Sequence, residues 1–159
     1  AGGWAASGTV DSALLDAMRG DPYFALAPPK STGRDHFNAR WLERALMAAP
    51  GREARDVQAT LAELTARVCA ADVLRHATGA SELLVCGGGA FNQFLMRRLS
   101  ALLPGVAVAR TDARGLAVTQ VEAAAFAWLA WAHCERRAAS IPTVTGAVGA
   151  RVLGALYPA

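Results

Sequence analysis

Gly87-Gly88-Gly89, with Asn92 three residues on, break an apolar stretch where bare backbone N–H groups could meet a ligand. Leu83-Leu84-Val85 before them reads as a buried strand. Asn92 to Leu99 after them carries apolar residues at helical spacing. Strand, glycine turn and helix in that order predict a site for an anion or a nucleotide. The same order also suits a tight turn with no ligand, and from these residues alone both readings stand.

Glu122 is the second candidate. It falls in the first turn of a predicted helix, below Phe126 and Leu129, where a carboxylate could face a cleft and hold a sugar hydroxyl. Thr119-Gln-Val-Glu122 is equally a complete capping box, which needs no substrate. Asp112 follows the second predicted strand. In a dinucleotide fold, an acid at that place holds a ribose. Gly87-x-Gly89 lacks the third glycine of such a fold, so the turn is open to an NAD(P)-binding reading and to an ATP-binding one. Lys30-Ser-Thr-Gly33 resembles the end of a phosphate-binding P-loop but is not one, because Pro29 stands where a glycine N–H is required. Thr32 and Asp35 read instead as the cap of a helix, with Lys30 left as a point charge for a phosphate.

The elements that position these residues follow from periodicity and punctuation. Val10, Leu14 and Met18 form a helical stripe stopped by Gly20. Asp21-Pro22 is a turn, Tyr23-Phe24 a short apolar anchor, and Pro28-Pro29 holds the chain extended. A helix is predicted over 34–47, with Phe37, Trp41 and Ala45 inward. A long Ala-rich helix capped by Asp56 is predicted over 57–76, with Val57, Leu61, Leu64, Val68 and Ala71 inward. Val106 to Arg110 reads as a second strand, and strand, helix, strand at this length predicts a parallel pair. A helix follows from Thr119 to His133, then loop over 140–149. The close, Val152 to Pro158, reads as a packed apolar end. The fold class is α/β and helix-rich, with few parallel strands and about five helices. Two strands are too little sheet for an independent α/β domain, so further strands are expected upstream of Ala1. The opening, with no initiator methionine, fits a fragment. The broken sheet edge is a place for self-pairing, hence a homodimer.

Composition narrows the classes. Net charge is +3, and the arginines are dispersed rather than interleaved with aromatics, which argues against nucleic acid. No apolar run reaches membrane-spanning length. Cys69, Cys86 and Cys134 are odd in number and widely spaced, and are expected as small buried hydrophobes in a reducing, cytoplasmic protein. With His36, His76 and His133 equally scattered, no zinc site is expected. A non-enzymatic interaction module remains a third possibility.

Over essentially its whole length the chain resembles the anhydro-N-acetylmuramic acid kinases. The resemblance is carried by Pro28-Pro-Lys-Ser-Thr-Gly-Arg-Asp35, Phe37-Asn38, Trp41-Leu42, Asp56-Val-Gln-Ala-Thr-Leu61, Val85-Cys-Gly-Gly-Gly-Ala90, Glu122-Ala123 and Pro142-x-Val-Thr-Gly-Ala147. It implies the C-terminal lobe of a two-lobed ATPase of ribonuclease-H-like fold, related to sugar kinases, Hsp70 and actin. The N-terminal lobe, with its phosphate loop and catalytic aspartate, would precede Ala1. ATP and Mg2+ would then be the full-length enzyme's cofactors, and anhydro-N-acetylmuramic acid its substrate. The resemblance implies cleavage of the 1,6-anhydro bond, phosphorylation of O6, and no activity in this chain alone. It places Gly87, Gly88, Gly89 and Asn92 on the nucleotide side and Glu122 on the sugar. Phe91 and Gln93 depart from the family's usual Arg and Pro.

Overall fold

A computed structural model describes residues 1–157. Seven α-helices and two strands occur among them: α1 (Gly3–Ser7), α2 (Ser12–Arg19), α3 (Ala39–Met47), α4 (Ala54–His76), β1 (Glu82–Val85), α5 (Gln93–Leu102), β2 (Ala107–Arg110), α6 (Val121–Cys134) and α7 (Pro142–Thr145). α1 and α7 exceed the expected five because each is about one turn long, too short to leave a periodic pattern. The strands pair in parallel, as predicted, with Glu82 opposite Ala107 and Val85 opposite Arg110.

The centre of the molecule is α4, against which α1, α2 and α5 pack. Leu14, Leu15 and Met18 of α2 meet Leu64 of α4 and Ala49, with Trp41, Leu61 and Val68 around them. Ala59, Ala62, Ala66 and Ala70 are buried along α4, and their small side chains let neighbouring backbones come close. Gly8 is needed where the chain crosses the start of α4, since a Cβ there would lie 2.1 Å from the Arg55 carbonyl oxygen. The crossing is fastened by Thr9 N–H donating to Asp56 (2.8 Å) and Asp11 N–H donating to the Thr60 hydroxyl (3.0 Å). Asp56 therefore does not cap α4, which starts three residues earlier than predicted, at Ala54 with Glu53 in the cap position. Ala71 of the expected stripe is exposed.

The helix predicted from Arg34 begins at Ala39, and its cap is Asn38, whose side chain accepts from Trp41 N–H at 3.1 Å. Residues 33–37 are claimed by tertiary packing instead. Asp21 accepts from the Trp41 indole (2.8 Å) and pairs with His36 (2.9 Å), while Phe37 stacks on Phe24 at 5.2 Å. Burial pushes the Asp21 carboxyl up, but its hydrogen bonds from Tyr23 N–H, His36 and Trp41 outweigh that and leave it below the usual range. Asn38→Ala should lower stability by about 1 kcal/mol in urea denaturation. Thr32→Ala should change nothing measurable there, the reverse of what a Thr32 cap requires.

The expectation of buried cysteines fails, as Cys69, Cys86 and Cys134 are all exposed. Cys86 leaves a sheet of only two strands, and Cys134 ends a helix with little packed against it. The apolar end is likewise open: Val152, Leu153, Leu156 and Tyr157 are exposed, and Pro158 lies outside the described residues.

Candidate functional site

Because β1 and β2 are parallel, the turns that follow them leave from the same, carboxyl edge of the sheet. After β1 the chain passes Cys86 and enters a 3-10 turn, Gly88–Phe91; after β2 it enters another, Thr111–Arg114. A hydrogen bond from Gly87 N–H to the Val118 carbonyl (2.8 Å) ties the first turn to the segment leading into α6. Three segments thus converge at one edge.

Gly87 has φ 71° and ψ −169°, a conformation open in practice to glycine alone. The turn's own bonding starts at Ala90, whose N–H donates to the Gly87 carbonyl at 3.1 Å. In 3-10 geometry the N–H groups of Gly88 and Gly89 are left over. A Cβ at Gly87 or Gly88 would meet nothing within 4 Å, so the backbone lies bare. Asn92 is the cap of α5, its side-chain oxygen accepting from Leu95 N–H at 3.1 Å. Nearby, the Thr111 hydroxyl is buried with no hydrogen-bond partner among the described residues. Bare backbone N–H groups fit a polar, oxygen-rich ligand such as a nucleotide.

Asp112 is spent on its neighbour. Arg110 donates to it through Nε (3.0 Å) and Nη2, and this pairing holds its carboxyl below the usual range. Both oxygens of the acid that a dinucleotide fold would turn to a ribose face a guanidinium. The same guanidinium lies 5.4 Å from the centre of the Phe91 ring. Sequence reading missed Arg110, although its place at the end of a strand beside Asp112 is a signal.

The capping box expected at Thr119 is not formed. α6 starts at Val121 on a Gln120 cap that makes no side-chain hydrogen bond, and Glu122 is exposed in the first turn. It stands four residues after Val118, whose carbonyl accepts from Gly87 N–H. Lys30 is not at this edge. It pairs with Asp72 of α4 at 3.1 Å beside the Tyr23 ring. An apolar hollow of about 400 Å3 lined by Tyr23, Phe37, Trp41, Leu61 and Val68 shares no residue with the glycine turn. Among the described residues no three His, Cys, Asp or Glu side chains cluster as a metal would need. No described helix is long and apolar enough to cross a membrane.

Fold and site together define a helix-rich α/β protein with an open backbone turn at the carboxyl edge of a small parallel sheet. The family sequence model described as "Anhydro-N-acetylmuramic acid kinase" matches residues 1–159. The chain belongs to the anhydro-N-acetylmuramic acid kinase family. A kinase of that name from Variovorax paradoxus (strain S110) is 60% identical over 158 residues, covering 99% of this chain and 42% of the relative. Another, from Cupriavidus pinatubonensis (strain JMP 134 / LMG 1197), is 58% identical over 159 residues, again 99% of this chain and 42% of the relative. The chain therefore spans less than half the length of these relatives. Kinase membership displaces the NAD(P) alternative, in keeping with Asp112 being held by Arg110.

Proposed function

We propose that this chain is the C-terminal, adenosine-side lobe of an ATP-dependent kinase acting on anhydro-N-acetylmuramic acid in the bacterial cytoplasm, as part of peptidoglycan recycling. In this reaction water opens the 1,6-anhydro bond by attack at C1, O6 leaves that bond, and O6 takes the γ-phosphoryl group of ATP. The products are N-acetylmuramic acid 6-phosphate and ADP. Gly87, Gly88 and Gly89 supply the bare backbone against which the adenosine lies. Asn92 fixes the start of α5 and so the far end of that turn. Glu122 accepts a hydroxyl of the sugar. The base that activates water and the loop that holds the phosphates belong to the family's N-terminal lobe, and no metal ligand is assigned among the residues described here.

The observation that carries this reading is the placement of a bare glycine turn and an uncapped carboxylate, Glu122, on segments tied together by the Gly87–Val118 hydrogen bond. The test is to put this chain in place of the 158 matched residues of the Variovorax paradoxus relative. The joined chain should phosphorylate the anhydro-sugar with ATP, and the 159-residue chain alone should not. Activity of the isolated chain, or none in a folded joined chain, would sink the proposal. In the active joined chain, Glu122→Gln should raise the KM for sugar about tenfold, the worth of one charged hydrogen bond, and leave the KM for ATP unchanged.

A further inference from the structure

We infer that α6 is a core helix of the complete kinase, its apolar flanks seated against the part of the family chain that lies outside the match. The inference rests on the kinase reading above. Over its fourteen residues, VEAAAFAWLAWAHC, α6 carries a single carboxylate, Glu122, near its start. A helix apolar on all sides is one that belongs in an interior. Here only Ala132 is buried, while Phe126 is 64% exposed, Trp128 51% and Trp131 44%. Among the described residues α6 packs extensively on no other element. The sheet of two strands likewise leaves Leu84 exposed.

The occupant follows from geometry and length. At 3.6 residues per turn, Phe126 and Trp128 point roughly 160° apart around the helix. Trp131 lies on the Trp128 side, their rings 6.4 Å apart. A flat contact with a second copy would cover one flank and leave the other in water. Covering both takes a layer on each side, which further elements of a longer chain can supply. The match covers 42% of each relative, so more than half of a relative's length is available to form such layers.

The experiment compares the 159-residue chain with the joined chain described above, using hydroxyl-radical footprinting read residue by residue in the mass spectrometer. Phe126, Trp128 and Trp131 should oxidise readily in the chain alone and be protected in the joined chain. Phe126→Asp and Trp131→Asp should leave the melting temperature of the short chain nearly unchanged, yet lower that of the joined chain by roughly 5 °C or more. Equal oxidation in both, or equal melting shifts, overturns the inference. So does a dimer of the short chain in which these rings are already protected. Should the joined chain not fold, the two pieces are co-expressed, and failure to recover them together also overturns it. Kinase assays separate the two readings. A protected α6 in a folded but inactive joined chain keeps this inference and removes the kinase proposal; an active one indifferent to both substitutions does the reverse.

Discussion

Gly87→Ala in the joined, active kinase is expected to raise the KM for ATP tenfold or more and to lower stability by about 1–3 kcal/mol. The cause is backbone geometry alone. At φ 71° and ψ −169° an alanine is strained, although its Cβ would touch nothing within 4 Å. The chain can keep the conformation at that cost, or relax. Relaxing rotates the peptide that donates to Val118 at 2.8 Å and re-aims the N–H groups of Gly88 and Gly89. Either way the turn is no longer the one a nucleotide needs. Gly88 is the control, because it has equally open surroundings and no left-handed φ. Gly88→Ala should spare stability and act only through the methyl group set against the ligand. Unchanged melting and unchanged KM for ATP in Gly87→Ala would show that this turn neither requires glycine nor meets nucleotide.

The parts of the fold legible in the sequence are those whose signal is local. Leu83 to Val85 ends at glycine, Val106 to Arg110 follows a Pro-Gly turn, and both are strands within a residue of where they were expected. The stripe of α2 and its Gly20 stop are equally local. What failed depended on partners far along the chain. Thr32 lost its cap because Asp21 gathers His36 and Trp41 from across a turn, which leaves Asn38 to start α3. Asp56 reads as a cap, yet serves Thr9, 47 residues away. The cysteines and the closing apolar residues read as interior because apolar residues usually are, yet the packing of the described residues leaves them exposed. At the site, glycine spacing located the turn. That Asp112 is held by Arg110, and that Glu122 caps nothing, needed coordinates.

Glu63 is the residue whose weight is least visible in the sequence and largest for the stability of the site. It sits among the apolar positions of α4 with its side chain 2% exposed, and it accepts from Arg67 Nε (2.7 Å), Arg98 Nε (2.6 Å) and Arg98 Nη2 (3.0 Å). Arg67 lies on the same helix; Arg98 is on α5 and clamps that helix to α4. Breaking a buried pair by removing one partner commonly costs about 3–5 kcal/mol. Here Arg67 and Arg98 keep side-chain exposures of 41% and 35%, so their charges can turn to water when the carboxylate is lost. Glu63→Gln should therefore cost less, about 2–3 kcal/mol in urea denaturation at neutral pH. Acid gives a second, independent readout. Burial pushes the Glu63 carboxyl up, but the hydrogen bonds from Arg98 and Arg67 outweigh burial and hold it below its ordinary value. A depressed folded-state pKa contributes stability that is complete above the unfolded-state value and is lost as pH falls through the folded one. The gap between wild type and Glu63→Gln should accordingly be full at pH 7 and close as pH drops below about 4. A gap that stays constant with pH would show that the glutamate acts by shape and not by charge. Because Asn92, the cap of α5, directly follows the glycine turn, a slackened clamp also frees the turn's far end. The same variant in the joined kinase should then weaken ATP binding without touching a residue that meets the nucleotide.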